Sequence, residues 1–329
     1  MPPLVSICCV TYNHAETLAE ALESFLAQRA DVPVEILVHD DASTDGTEAI
    51  LRDYAKKYPD VVKPLFETEN QYRKGLAMDA TFNFPRATGE YLALCEGDDF
   101  WCDPHKLLKQ VSCLQAHPDC TFCFTNGYVR DASGQTPERD FIPYYPDEAA
   151  YYTAETREYD LGELTRLTFI PTASFLFPRA ALERIPSELL LSSCPSGDLR
   201  LKLLLTAVGK AVYLHAFTCV YRLNTGSSTM ARWGDEAADR TRKRCRQVMD
   251  MLQGVDAFSG GRWQEALRRL MDDQLRVLME AAPTRALLQE PDARRVYRAM
   301  SLARRVKYRV KAWLPEAVFR RVKGLLGKT

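Results

Sequence analysis

Tyr91-Leu92-Ala93-Leu94-Cys95-Glu96-Gly97-Asp98-Asp99-Phe100-Trp101 is the stretch on which the fold turns. Its first five residues are apolar and read as a short buried strand. Three carboxylates then arrive within four positions. Carboxylates this close at the mouth of a sheet repel one another unless a cation sits among them. Such a mouth is a natural seat for a divalent ion that also holds phosphate oxygens. A solvated acidic turn would explain the cluster by itself, so the rest of the chain has to decide.

Upstream, Val5 to Val10 reads as a buried strand and Thr11-Tyr12-Asn13-His14 as a turn. Ala15 to Gln28 reads as a helix with Leu18, Leu22, Phe25 and Leu26 on one face. Val34 to Val38 is a second strand, running into His39-Asp40-Asp41. Ser43-Thr44-Asp45-Gly46-Thr47 is a turn able to cap a helix over Glu48 to Tyr58, and Val61 to Phe66 is a third strand. Downstream, Pro104 to Ala116 and a segment from Asp198 to Gly209 read as helices, and Cys120 to Val129, Phe169 to Phe177 and Ala211 to Val220 as strands. Residues 131–160 show no period and read as loop. Strands alternating with helices predict an α/β fold with right-handed crossovers, whose ligands bind beyond the carboxyl ends of strands. All the polar clusters above fall at that end.

The 329 residues, 46% hydrophobic and 26% charged, can bury a full core. The expected division is residues 1–230 as the α/β domain and 231–329 as a helical extension. No apolar run approaches the roughly 20 residues of a membrane span, and Met1-Pro2-Pro3 leads into a strand without the features of a signal peptide. Cys120 and Cys123 form a C-x-x-C inside an apolar run. With no second pair suitably spaced, buried thiols are favoured over a redox or zinc pair. Free thiols fit a reducing compartment, so a cytoplasmic location is expected. Charge is uneven: Asp292 to Thr329 holds twelve Lys+Arg against two Asp+Glu, leaving residues 1–291 at a net of -11.

A pyrophosphate ligand with a metal needs a recess for its base, carboxylates for ion and ribose, and a group that acts on the second substrate. Tyr12 could stack on a base, Asp41 could accept a hydrogen bond from base or ribose, and Asp98 and Asp99 could hold ribose and metal. Each also has an ordinary reading, Tyr12 as a partly buried aromatic and Asp41 as a turn residue. Their joint placement at one sheet edge favours function.

The chain resembles the inverting glycosyltransferases of family 2. The matching segments are Val5-Ser6-Ile7-Cys8-Cys9-Val10-Thr11-Tyr12-Asn13, then Ile36 to Thr47, then Ala87-Thr88-Gly89-Glu90 running on to Asp99, and more weakly Gly197-Asp198-Leu199-Arg200-Leu201. The resemblance implies the GT-A fold, a Rossmann-like mixed sheet that binds nucleotide-sugars and is flanked by helices. It implies Thr11, Tyr12, Asn13 and Asp41 at the nucleoside, and Glu96 and Asp98 at ribose and diphosphate. It further implies Asp98 and Asp99 at a divalent metal, Mn2+ or Mg2+, and Asp198 as catalytic base. A helix N-cap is the alternative role for Asp198. The implied donor is a nucleotide-diphospho-sugar, with UDP or dTDP expected ahead of GDP. The implied acceptor is a glycan, lipid-linked or not, and a protein acceptor is the runner-up. A nucleotidyltransferase is disfavoured because Val10 to His14 has neither glycine nor Lys/Arg. A non-catalytic binding module on the same fold is the reading from another class.

Two departures stand out. Many relatives carry a histidine where this chain has Asn224, after Tyr221-Arg222-Leu223, and the Arg-Asn pair frequent before the Gly-Glu-Tyr segment is replaced by Thr81 to Arg86. Arg222 with the polar run Thr225 to Thr229 reads as a loop able to close over a diphosphate. His215 reads as a core or sheet histidine. In the tail, Arg304, Arg305, Lys307, Arg309 and Lys311 alternate with Val306, Val310 and Trp313, and a second run from Pro315 carries Val318, Phe319, Val322, Leu325 and Leu326. This pattern suits helices on an anionic membrane surface, here the inner face of the cytoplasmic membrane. A helical pair docked on the acidic body fits equally. Nucleic acid is not expected, for lack of a recognised motif.

Overall fold

The computed structural model describes residues 4–29, 33–131, 139–141, 155–167, 169–223 and 238–313. Among the described residues ten strands form one mixed sheet: β1 (Val5–Thr11), β2 (Val34–Asp40), β3 (Val62–Phe66), β4 (Tyr91–Leu94), β5 (Phe100–Trp101), β6 (Cys120–Asp131), β7 (Arg139–Asp140), β8 (Arg157–Tyr159), β9 (Leu176–Pro178) and β10 (Lys210–Leu223). The main path runs β3-β2-β1-β4-β9-β6-β10-β5, with β7 on β6 and β8 on β10. β3, β2, β1 and β4 are mutually parallel, and β9 enters antiparallel between β4 and β6.

The strand alternation sorts side chains into two layers. Val5, Ile7 and Cys9 pack with Leu18, Leu22 and Phe25 of α1 (Leu18–Leu26), Leu51 of α2 (Thr47–Lys57) and Leu107, Val111 and Leu114 of α3 (Lys106–Ala116). On the other face, Cys8, Leu37, Leu92 and Leu94 pack with Leu164 of α4 (Leu161–Leu164) and, beyond α5 (Ser187–Leu190), with Leu201 and Leu204 of α6 (Gly197–Ala207). Val248 and Leu252 of α7 (Ala238–Phe258) and Leu267 of α8 (Gln264–Ala281) join this second layer. The helices after residue 237 therefore cover the sheet as well as extending the chain. The end of α8, α9 (Arg285–Gln289), α10 (Pro291–Ala299) and α11 (Leu302–Trp313) close a separate small cluster around Leu278, Leu287, Val296 and Tyr308.

The edge of the sheet away from the strand C-termini is tied by Glu35, only 2% exposed. Its carboxylate accepts from Ser6 Oγ at 2.6 Å, from Thr88 N at 2.8 Å and from Lys63 Nζ at 2.6 Å. Burial pushes this carboxyl up, but the bonds from Lys63, Ser6 and Thr88 outweigh it and hold the group at about 2. Gly89 follows Thr88 so closely that a Cβ would sit 2.5 Å from Ser6 N, so the turn before β4 requires glycine.

The expected strand over Phe169 to Phe177 is corrected. Residues Thr172–Ser174 form a 3-10 turn behind Pro171, whose carbonyl accepts from Ser174 N at 2.9 Å and Ser174 Oγ at 2.7 Å, and only Leu176–Pro178 pairs. An apolar run cannot by itself distinguish a strand from a buried turn. All ten cysteines are free thiols, Cys120 and Cys123 among the buried ones. His215 lies in β10 but is exposed, with Nδ1 3.2 Å from Tyr213 Oη. No helix among the described residues is long and apolar enough to cross a membrane.

Candidate active site

β1 lies between β2 and β4, so the crossovers leave it in opposite directions and open a crevice at the strand C-termini. A cavity of about 540 Å3 occupies that place, lined by Tyr12, Asp41, Glu96, Asp98, Asp198 and Arg222 among others. Six of the residues expected at the site thus meet in one recess.

Thr11, Asn13 and Asp99 stand behind it. The two-residue period of β1 turns Val10 and Tyr12 to the cavity and Thr11 to the opposite layer, where it is fully buried. The Thr11 carbonyl still shapes the site by accepting from Asp41 N at 3.0 Å. Asn13 adopts a left-handed backbone, φ 56°, which asparagine tolerates. Its Oδ1 accepts from Thr44 N at 2.8 Å and its N–H donates to Ser43 Oγ at 2.8 Å, so it laces the turn after β1 to the turn after β2. Ala42 is also left-handed, φ 61°, a strained position directly after Asp41.

Asp41 is 1% exposed yet reaches the cavity wall. Its two oxygens accept from Gln71 N at 2.6 Å and Tyr72 N at 3.1 Å, fixing the segment that presents Asn70, Tyr72 and Arg73. Each oxygen has a further lone pair for a ligand N–H or O–H.

The acidic loop is clamped onto β1. Gly97 N donates to Val10 O at 2.9 Å, and a Cβ at Gly97 would meet Thr11 Oγ1 at 2.7 Å and His14 Nδ1 at 2.9 Å. Asp99 is 1% exposed; Oδ1 accepts from Arg222 N at 2.8 Å, while Oδ2 is buried without a hydrogen-bond partner. The Arg222 guanidinium donates to the Asp98 carbonyl at 2.6 Å, pairs with Glu20 and lies 4.5 Å over the Phe100 ring. Burial, Asp98, Asp99, Asp198 and Asp79 together push the Glu96 carboxyl well up. Burial and Asp98 likewise push Asp99 up, against the pull of Arg222.

Asp198 sits in the first turn of α6. The N-cap position is taken by Ser196, and Asp198 makes no hydrogen bond or ion pair among the described residues. Asn224 and the run Thr225 to Thr229 lie outside the described residues.

His14, Asp79 and Arg200 are among the lining residues that were not expected from the sequence. His14 Nε2 is 3.7 Å from Asp98 Oδ2, and burial lowers its pKa despite Asp98. Asp79 and Arg200 line the same cavity. Their sequence signals were faint: an Asp four residues before Asn83, and a lone Arg in a leucine-rich helix.

The donors at this end of the sheet are carboxylate oxygens, the ligand type of a hard divalent cation. Glu96 and Asp98 line the recess, Asp99 Oδ2 is buried and unsatisfied behind it, and the nearby Arg222 is already paired with Glu20. No three His, Cys, Asp or Glu side chains among the described residues converge enough to enclose an ion. Such an ion would complete its shell with phosphate oxygens and water.

A family model described as Glycosyl transferase family 2 matches residues 6–185. The putative glycosyltransferase EpsE of Bacillus subtilis (strain 168) is 37% identical over 145 residues, 44% of this chain and 50% of its own. The UDP-Glc:alpha-D-GlcNAc-diphosphoundecaprenol beta-1,3-glucosyltransferase WfaP of Escherichia coli is 30% identical over 139 residues, 42% of this chain and 49% of its own. The chain spans about a third to a half of the length of the curated relatives it matches. Among solved structures, S. aureus TarS 1-349 in complex with UDP superposes with a TM-score of 0.51 at 15% identity, covering 92% of this chain and 77% of that one. The mannosyltransferase PcManGT from Pyrobaculum calidifontis, in complex with GDP-Man and Mn2+, gives 0.50 at 20% identity, covering 100% and 89%. Matched over more than half its length, with the acidic loop inside the matched span, the chain belongs to glycosyl transferase family 2 and has the GT-A fold.

Proposed function

We propose that the cavity binds a nucleotide-diphospho-sugar and that Asp198 is the base of a single displacement with inversion. The acceptor hydroxyl loses its proton to the Asp198 carboxylate as its oxygen bonds to the anomeric carbon. The bond from that carbon to the phosphate oxygen breaks on the opposite face, and the nucleoside diphosphate leaves with the electron pair. The observation that carries this reading is Asp198 itself, a carboxylate without a hydrogen bond or ion pair among the described residues, on the same recess as Tyr12, Asp41, Glu96 and Asp98. Tyr12 stacks on the base and Asp41 accepts from base or ribose. A divalent ion, Mn2+ or Mg2+, would be held by Asp98, with Asp99 behind it and Glu96 beside it, and would supply charge stabilisation to the departing diphosphate.

The test is calorimetric titration with UDP, dTDP and GDP, each with and without Mn2+ or Mg2+. We expect one nucleotide to bind, at least about 10-fold tighter with metal, a difference of about 1.4 kcal/mol. Failure of all three under every condition overturns the donor-site reading.

The acceptor reading is a glycan on a lipid carrier, supported by WfaP, a glucosyltransferase named for a diphosphoundecaprenol-linked sugar. α11 supports it too. Its inner side is pinned to the body by Tyr308, which donates to Glu280 at 2.6 Å, and by Lys307 on the same carboxylate at 2.6 Å. Its outer side exposes Leu302, Val306, Val310 and Trp313, between 39% and 68%, with five Lys+Arg and no acidic residue in the helix. An apolar stripe framed by cations suits the surface of an anionic bilayer at the inner face of the cytoplasmic membrane. The run from Pro315 lies outside the described residues. Co-sedimentation with phosphatidylcholine vesicles should require added phosphatidylglycerol, weaken at high salt and be lost in Val306→Asp. Equal binding to both vesicle types, or to neither, rules this surface out.

A further inference from the structure

Two charged side chains on the cavity wall have no part in the reaction described above. Asp79 opens a π-helical turn, Asp79–Asn83, and single π turns concentrate at functional sites. The fully buried Asn83 holds it: Asn83 Nδ2 donates to Asp79 Oδ1 at 2.8 Å and to the Cys9 carbonyl of β1 at 3.1 Å, while Arg86 donates to Asn83 Oδ1 at 2.8 Å. One Asp79 oxygen is thereby fixed to the sheet, and the other takes no bond among the described residues.

Arg200 is 5% exposed and follows Asp198 by two positions on α6. Its Nη1 donates to the carbonyls of Ser192 at 2.6 Å and Cys194 at 3.4 Å. Its Nε is buried without a partner, and Nη2, beside Gly197 on the cavity wall, has no acceptor among the described residues. Asp79 and Arg200 act on each other electrostatically without forming an ion pair. Burial pushes the Asp79 carboxyl up to about 6, against Asn83, Arg200 and Arg86.

We propose that Asp79 and Arg200 form the subsite for the donor's sugar and grip neighbouring hydroxyls of an uncharged hexose, a reading that rests on the donor-site proposal above. A hydroxyl both donates and accepts, so a diol satisfies a carboxylate and a guanidinium at once. Both groups are poorly solvated and already fixed by their neighbours, so the hydroxyls gain charge-assisted bonds with little ordering cost. A sugar carboxylate would pair with Arg200 but would join the carboxyl groups of Asp79, Glu96, Asp98 and Asp198 that already crowd the cavity. The subsite therefore selects neutral sugars against uronates. It lies next to the proposed base, where the anomeric carbon has to be.

The test compares the free nucleoside diphosphate with its sugar conjugates in wild type, Asp79→Asn and Arg200→Lys, both close in shape to the original. Probes are UDP, UDP-glucose, UDP-N-acetylglucosamine and UDP-glucuronate, or the dTDP or GDP counterparts if one of those bases binds. Wild type should bind at least one neutral conjugate at least about 10-fold more tightly than the glucuronate. Each variant should weaken that conjugate by about 10- to 100-fold, as expected for bonds to charged groups, and leave the free diphosphate within about twofold. Asp79→Asn should also narrow the gap to the glucuronate. Equal weakening of diphosphate and conjugate, or no weakening of the conjugate, overturns the subsite while the donor site stands. Absence of any nucleotide binding in wild type overturns both.

Discussion

Asp198→Asn should lower kcat by about 10²- to 10⁴-fold, the usual contribution of a positioned general base, and leave the dissociation constant of the bound nucleotide nearly unchanged. The amide has the shape of the carboxylate but cannot accept a proton from the acceptor hydroxyl. Little else depends on this side chain, since it makes no hydrogen bond or ion pair among the described residues and Ser196 holds the N-cap position. Its charge does favour the N-terminus of α6, so stability should fall by about 0.3 to 1 kcal/mol. Asp198 is also one of the charges that push the Glu96 carboxyl up. Neutralising it lets Glu96 ionise more readily, so a cation-dependent ligand should bind as well or better. The measurements are single-turnover transfer and calorimetry on the same preparation. A variant whose kcat stays within about threefold of wild type would remove Asp198 from the base role, and parallel losses in nucleotide binding and melting temperature would recast it as structural.

The parallel half of the sheet was legible in the sequence because each strand is a short apolar run ended by polar residues. β1, β2 and β4 carry Thr11-Tyr12, Asp40-Asp41 and Glu96 to Asp99 at the same edge, and the structure brings Tyr12, Asp41, Glu96 and Asp98 of these to one recess. The antiparallel half was not legible. β5, β7, β8 and β9 are each two or three residues long, too short for any period to register. Within the site, the strand period carried more information than the motif. Val10 and Tyr12 share a parity and line the cavity, whereas Thr11 between them is fully buried and does not. Asp79 and Arg200 escaped notice because a π turn and a buried arginine are set by tertiary packing, which local sequence does not encode.

Asp98→Asn should abolish the metal-dependent part of nucleotide binding and lower kcat/KM by about 10²- to 10³-fold, the equivalent of about 3 to 4 kcal/mol of lost charge stabilisation. The scaffold should survive, because Arg222 donates to the Asp98 main-chain carbonyl, which the substitution leaves in place. Asp99→Asn should behave differently. Its Oδ1 accepts from Arg222 N at 2.8 Å, a bond that an amide oxygen can keep, and its side chain does not line the cavity. Its unpartnered Oδ2 lies behind the recess, so removing that charge should weaken metal dependence by only about 10-fold, about 1.4 kcal/mol. Asp99→Ala should do more harm, since it frees β10 from the acidic loop and leaves a buried N–H unsatisfied, at about 1 to 3 kcal/mol. The order Asp98→Asn worse than Asp99→Asn, read from titrations of the best-binding nucleotide against Mn2+ and Mg2+ before and after chelation, identifies the carboxylate that faces the ion. The reverse order would mean that the ion reaches the buried carboxylate, and that the loop from Glu96 to Asp99 has to rearrange when the donor binds.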